Sequence, residues 1–423
     1  MAKERRDNKN RLLWKGEYQK EDGRYMYKYT DSHGKAGYVY SWTLTKTDRT
    51  PKGKQPGKCL RDLEIEIAKN IDAGINISLS KNSTVNDYFD KYMDLRKKLK
   101  STTRRNYRYQ YDSYARDAIG CMKISKVKYS DIKGLYSRLI CEEDMKVSTL
   151  QNLNSILLPI FSLAVRDKVI SDNPADKVYV EIKRECGDDT NKKRALTIAQ
   201  QKALVKFVEH HPKLSRWYPL VVFLLGTGCR IGEACGLTWD DCDFKNNIIR
   251  IERTLCYYPD ENSGKCSFFF QTPKTKTGIR EIPMLKDVRK VLLEEKKNQM
   301  ECGFNTKTID GVSGLVFMTK GKNAVAPRTF NYALDEIVKA YNQEEKLRSI
   351  GERRTPVYIQ DISPHIFRHT FCTRLCEQQI NIGVIQKIMG HSSISVTMNI
   401  YNDVTNELSI SEFGKLDQAL KIC

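Results

Sequence analysis

Residues 181–195 contain little that can pack into a hydrophobic core, and they divide the chain. Directly after them, Thr197-Ile-Ala-Gln200 has the spacing of a capping box, which opens a new helix. A chain of 423 residues is too long for one compact core. The break therefore predicts at least two separately packed parts joined by a linker at 181–195.

The part before the break changes character once. In the first 60 residues, Tyr25, Tyr27 and Tyr29 alternate, and after a Gly-containing turn Tyr38, Tyr40 and Trp42 do the same. Period-two alternation around such a turn predicts a hairpin in a small sheet. One aromatic face can form the core of that sheet while the other meets a groove of DNA. Lys28, Tyr40 and Lys54 are the candidate contacts there.

From Thr84 to about Val178 the apolar spacing becomes helical. Val85, Tyr88, Tyr92 and Leu95 recur every three or four residues, as do Leu150, Leu153, Ile156, Leu157, Ile160 and Ala164, with Pro159 as a kink. Between these helices Lys97, Lys98, Lys100, Arg104, Arg105 and Arg108 form a basic run suited to a phosphate track, or to a solvated face.

Beyond the break, helices run to about Gly236. Residues 247–251 and 267–271 then read as hairpin partners, residues 278–283 as a third strand, and helices resume.

Charge narrows the partner. Lys and Arg total 72 against 52 Asp and Glu, a formal net charge of +20. The excess is distributed, with 15 basic and 7 acidic side chains in residues 1–60 and 19 and 12 in residues 81–180. Several parts of the chain can thus face one polyanion. No apolar run approaches a membrane span of ~20 residues, and the N-terminus lacks the apolar stretch of a signal peptide. A cytoplasmic protein without a membrane partner is expected. The 13 cysteines show no Cys-x-x-Cys, and Cys372 with Cys376 has no matching second pair, so reduced thiols and no metal are expected.

The chemistry concentrates late in the chain. His365, Arg368, His391 and Tyr401 fall within 37 residues, and Arg230 lies upstream in Gly-Thr-Gly-Cys-Arg-Ile-Gly-Glu. Two guanidiniums can hold a phosphate by paired hydrogen bonds, two imidazoles can move protons, and a phenol can attack. The gap in His365-Ile-Phe-Arg368 puts both side chains on one helix face. Lys276, at a turn between predicted strands, could protonate a leaving oxygen. Lys274 is the nearby alternative.

These motifs, together with Gly390-His391 and the Lys-Thr-Gly turn, resemble the signature of tyrosine recombinases, the phage integrase family. The basic N-terminus and aromatic hairpin resemble integrases of conjugative transposons. The resemblance implies a multidomain α+β fold: a small N-terminal β-sheet domain, an all-α core-binding domain and a mainly α catalytic domain with a small antiparallel sheet. It assigns residues 1–75 to arm-type DNA, 80–180 to a SAM-like core-binding domain and 196–410 to catalysis.

The same resemblance makes Tyr401 the nucleophile, Arg230 and Arg368 the phosphate clamp, Lys276 the general acid, His365 and His391 proton-transfer and phosphate-binding residues, and Glu233 their support. It further implies no cofactor, double-stranded DNA as substrate, a homotetramer on DNA, and room for an accessory excision factor. Residues 411–423 would form a tail, for which docking on a neighbouring protomer and packing on its own domain are both open. The function expected is a site-specific recombinase that integrates and excises a mobile element through a 3′-phosphotyrosyl link. A type IB topoisomerase-like enzyme and a non-catalytic DNA-binding regulator are the alternatives.

Overall fold

The computed structural model describes residues 5–31, 34–187, 195–259, 264–273, 276–360 and 362–402, without the side chains of Ile77, Ser78 and Lys276. The proposed tail at 411–423 therefore lies outside the described residues, as does Lys274. The chain forms two compact units, Met1–Asn191 and Lys192–Cys423.

The first unit begins with a three-stranded antiparallel sheet of β1 (Glu17–Gln19), β2 (Tyr25–Thr30) and β3 (Ala36–Ser41). Tyr25 pairs with Ser41, Tyr27 with Val39 and Tyr29 with Gly37, so the three tyrosines share one face. That face is covered by α1 (Leu60–Asp72), whose Leu60 and Ile67 are buried with Tyr25, Tyr29 and Leu44. Gly37 is required at its position. A Cβ there would lie 2.4 Å from the Tyr29 ring. The opposite face carries Tyr18, Met26, Lys28, Tyr38 and Tyr40, while Trp42 sits just past the end of β3.

After the short α2 (Ile77–Asn82) come α3 (Val85–Leu95), α4 (Ser101–Tyr114), α5 (Tyr129–Cys141), α6 (Val147–Arg166) and α7 (Val178–Cys186). Thr84 caps α3 through a reciprocal pair of bonds with Asp87. The Phe89 and Tyr111 rings stack 3.8 Å apart in the core. Leu150, Leu153, Ile156, Leu157 and Ile160 of α6 are fully buried, each burial contributing roughly 1.5–3 kcal/mol. By length and composition α6 would pass for a membrane span, yet its apolar face is spent inside this bundle.

Two sequence expectations need correction here. The basic run is not wholly a connection between helices, because α4 starts at Ser101 and carries Arg104, Arg105 and Arg108. Likewise, residues 181–186 are not linker. They continue α7, whose Val178 and Ile182 are buried, a single apolar stripe that the surrounding charges hid.

The second unit contains α8 (Ile198–His210), α9 (Tyr218–Thr227), α10 (Ile231–Cys235), β4 (Cys242–Asp243), β5 (Ile248–Ile251), β6 (Thr254–Pro259), β7 (Cys266–Gln271), β8 (Arg280–Pro283), α11 (Lys286–Cys302), α12 (Pro327–Gly351), α13 (Pro364–Glu377) and α14 (Ile382–Met389). Residues 394–402 are also helical. The capping box at Thr197 and Gln200 forms as the sequence predicts.

The strand pairing differs from expectation. β5 lies between β4 and β8, with Ile249 opposite Ile282, and β7 pairs with β6 instead. Glu252 and Arg253 interrupt the apolar pattern after β5, so the nearer Thr254–Pro259 segment becomes the partner of β7. The overall class matches the expected mainly helical α+β chain with small antiparallel sheets.

The centre of this unit is α9. It is apolar nearly all round, as a helix enclosed by others must be, and it packs on α8, α11 and α13. Its end positions the site. Gly228 caps α9 at φ +62°, and a Cβ on it would lie 2.6 Å from the Phe371 ring.

Candidate active site

The turn at Gly228 delivers Arg230 to the N-terminus of α10. Glu233, one turn on, accepts a hydrogen bond from the Arg230 backbone N–H at 2.9 Å and another from its Nη1 at 2.7 Å. The Glu233 side chain is 2% exposed, whereas that of Arg230 is 46% exposed. A buried anion thus aims a guanidinium outward, where a phosphate can meet it.

Arg368 approaches the same turn from α13. Its Nη1 donates to the Gly228 carbonyl at 2.8 Å, and its Nη2 donates to the Met389 carbonyl at the end of α14. Burial, followed by the charge of Arg230, brings its pKa down to about 10. It remains a cation at neutral pH.

Gly390 then turns the chain at φ +62° into His391. His391 is buried and its Nδ1 shares a 2.8 Å hydrogen bond with the hydroxyl of the fully buried Thr397. Burial first, then Arg368, Arg230, Arg280 and His365, press its pKa down to about 4. The imidazole is neutral at pH 7. His365 is exposed one turn ahead of Arg368 on α13, close enough to contribute to that depression.

Tyr401 is half-buried on helical residues 394–402 and packs against the cluster of Phe371, Cys372, Cys376, Ile385 and Met389. The same two helices, α13 and α14, therefore support Tyr401, Arg368 and the His391 turn. The backbone of Lys276 forms the short helical turn Lys276–Gly278 between β7 and β8. Its side chain lies outside the description.

Arg280 is the residue that sequence reasoning missed. It is 2% exposed and donates to both oxygens of Glu233 and to the carbonyls of Gly278 and Ile388. Burial pushes the Glu233 carboxyl up, but the hydrogen bonds and charge of Arg280, with Arg230, outweigh it and hold the group below its ordinary value. A charged residue on the same side of β8 as Ile282 was the available signal. Thr397 was also missed. Among the described residues, no group of three or more His, Cys, Asp or Glu could hold a metal.

The expected DNA contacts fall in the first unit. Lys28 and Tyr40 are exposed on the open face of the sheet. Lys20 and Arg24 lie 4.9 and 5.6 Å from the Tyr40 ring centre, Lys54 and Arg24 lie 4.9 and 5.6 Å from Trp42, and Arg5 lies 4.4 Å from Tyr18. Lys97 and Lys98 are exposed in the turn before α4, and Lys100 immediately precedes it. Arg104 and Arg105 are half-buried, and Arg108 is exposed.

Comparison with known proteins agrees with this geometry. The family model for the phage integrase family matches residues 194–407. Models for the DNA binding domain of Tn916 integrase and for the phage integrase N-terminal SAM-like domain match 1–71 and 84–140. The transposase from transposon Tn916 of Enterococcus faecalis is 33% identical over 421 residues, covering 99% of this chain and 98% of that protein. The transposase from Tn1545 of Streptococcus pneumoniae matches to the same extent.

Among solved structures, the Tn1549 transposon integrase in complex with transposon right end DNA is 30% identical with a TM-score of 0.68. That match covers 79% of this chain and 99% of the other. A lambda integrase tetramer bound to a Holliday junction, at 16% identity and a TM-score of 0.51, shares the fold. Family models, full-length relatives and neighbouring structures converge on one assignment: this chain belongs to the phage integrase family and is a tyrosine-type site-specific recombinase.

Proposed function

We propose that the protein cuts and rejoins double-stranded DNA at the ends of a conjugative mobile element, with Tyr401 as nucleophile. The observation that carries this reading is the convergence of Arg230, held by buried Glu233, with Arg368, bonded to the Gly228 and Met389 carbonyls that lead into Arg230 and His391. Two guanidiniums from different elements can grip the non-bridging oxygens of one phosphate, and preorganised charge of this kind is usually the largest part of catalysis.

In the proposed step the Tyr401 phenolic oxygen bonds to phosphorus and its proton passes to a base of the site. The P–O5′ bond breaks, and Lys276 supplies a proton to the leaving O5′. His391 Nε2 and His365 assist on the phosphate and in proton transfer. The product is a 3′-phosphotyrosyl link, which retains the energy needed to rejoin the strand.

The wider reading has its own supports. Residues 1–75 would bind arm-type DNA through the open aromatic face. Residues 80–180 would hold the core site, and residues 196–410 would carry out catalysis. The relatives' names and the DNA in the Tn1549 and lambda complexes favour a mobile-element end as substrate and a tetramer as the working assembly. We extend the reading to a cytoplasmic location and an accessory excision factor, as the resemblance to conjugative-transposon integrases implies. The transposase relatives and the Tn1549 complex do not favour the topoisomerase and regulator readings.

A nicked duplex bearing the element end, from which the short downstream fragment carrying the new 5′-hydroxyl diffuses away after cleavage, tests this. Wild-type protein should accumulate covalently on the 3′ end and Tyr401→Phe should not. Two duplexes supplied together should yield recombinant joints. Trapping by Tyr401→Phe would remove the nucleophile assignment, and nicking without joints would favour a topoisomerase.

A further inference from the structure

A guanidinium enclosed in a protein is costly unless its donors find acceptors. Those of Arg280 find acceptors in three separate segments. Nε donates to the Ile388 carbonyl at 2.7 Å, Nη1 to the Gly278 carbonyl at 3.1 Å, and Nη1 and Nη2 to Glu233 at 3.2 and 2.8 Å. Ile388 lies in the last turn of α14, two residues before the Gly390-His391 turn. Gly278 closes the Lys276–Gly278 turn. Glu233 holds Arg230. One side chain thus joins the three segments that carry the proposed acid, the buried imidazole and the first arginine.

Packing at the junction is tight. A Cβ on Gly390 would lie 2.9 Å from the Thr277 carbonyl oxygen and 3.0 Å from Arg280 Cδ. The Lys276 turn and the His391 turn therefore touch where Arg280 passes between them. Thr277 and Ile279 are exposed, and the β5–β8 ladder begins only at Arg280. The bond to Gly278 reaches back into the part of the turn that precedes the ladder.

We propose that Arg280 is a positioning residue for strand cleavage, fixing the Lys276 turn against the Arg230 and His391 segments so that the leaving O5′ receives its proton. This rests on the reading of Lys276 as general acid. Charge alone does not suffice for the role. Lysine would keep the charge but, as a single point donor group, cannot span three acceptor segments.

Cleavage of two suicide duplexes, identical except for oxygen or sulfur at the bridging 5′ position, tests the proposal. A thiolate leaves without needing a proton, so sulfur relieves a defect in proton delivery and in nothing else. Arg280→Lys and Arg280→Gln should cleave the oxygen duplex about 10²-fold more slowly than wild type, and the sulfur duplex at least 10-fold nearer to the wild-type rate. The ratio of the two rates comes from one preparation and counts only folded enzyme, so lost stability does not move it.

Equal slowing on both duplexes by both variants would overturn the proposal. Lys276→Ala serves as the control. If sulfur relieves Lys276→Ala but neither Arg280 variant, the positioning role alone fails. If sulfur does not relieve Lys276→Ala, the acid assignment fails and takes the proposal with it.

Discussion

Arg280 and Glu233 form a two-point ion pair, at 3.2 and 2.8 Å, in which each side chain is only 2% exposed. Glu233 also accepts from Arg230, so one carboxylate balances two guanidiniums inside the catalytic unit. Removing one member of a buried pair strands the other, at about 3–5 kcal/mol. Glu233→Ala should therefore lower the unfolding midpoint by roughly 6–20 °C. Glu233→Gln keeps one acceptor and should lose less. Thermal unfolding of the two variants checks the order, and an alanine variant as stable as wild type would contradict the pairing.

His391 predicts a pH dependence of stability. Its pKa is about 4 in the folded protein against 6.5 for the free group, so the unfolded chain takes up the proton first. The contribution is fully present above about pH 6.5 and is lost as the pH falls toward 4. The expected slope approaches at most about 1.4 kcal/mol per pH unit in that window. His391→Asn should be flatter between pH 6.5 and 5 when unfolding is followed by denaturant titration. An unchanged slope would place the titrating group elsewhere.

What the sequence disclosed depended on the range of the interaction. The spacing in α6 and the capping box at Thr197 are local, and both appear as the residues alone predict. Strand partnership is not local: β5 and β7 look equally apolar, and only the complete sheet shows that Ile249 meets Ile282. The α7 helix was lost because two buried residues, Val178 and Ile182, sat among charges. Arg280 was read only as part of a strand, since its role exists once α10, α14 and the Lys276 turn converge on it. Tyr401, Arg230 and His391 stand out in the sequence because the proposed chemistry needs those residue types whatever holds them.

Arg368 should tolerate no substitution by lysine. Its Nη1 and Nη2 reach carbonyls on two different elements, Gly228 and Met389, and an ammonium cannot donate along both directions at that span. In Arg368→Lys, a buried carbonyl left unmatched costs about 1–3 kcal/mol, and the proposed phosphate contact weakens as well. Loss of one preorganised donor slows cleavage by about 10²–10³-fold. Covalent-complex formation on the nicked duplex, followed over time with saturating protein, should show that loss. A rate within a few-fold of wild type would mean that a simple positive charge suffices.

The open face of the N-terminal sheet makes a separate prediction about affinity. Lys28 is exposed beside Tyr38 and Tyr40, and Lys20 and Arg24 flank the Tyr40 ring. If that face meets phosphates, each lysine in contact releases about one counterion, and the salt dependence of binding counts them. Lys28→Gln in the full-length chain should weaken binding to an arm-site duplex and reduce the slope of log K against log salt by about 1. Tyr40→Ala should act differently, lowering affinity through lost contact area while leaving the slope near its wild-type value. Fluorescence anisotropy across a salt series separates the two. A Lys28→Gln slope equal to that of wild type would move the DNA to another surface of the domain.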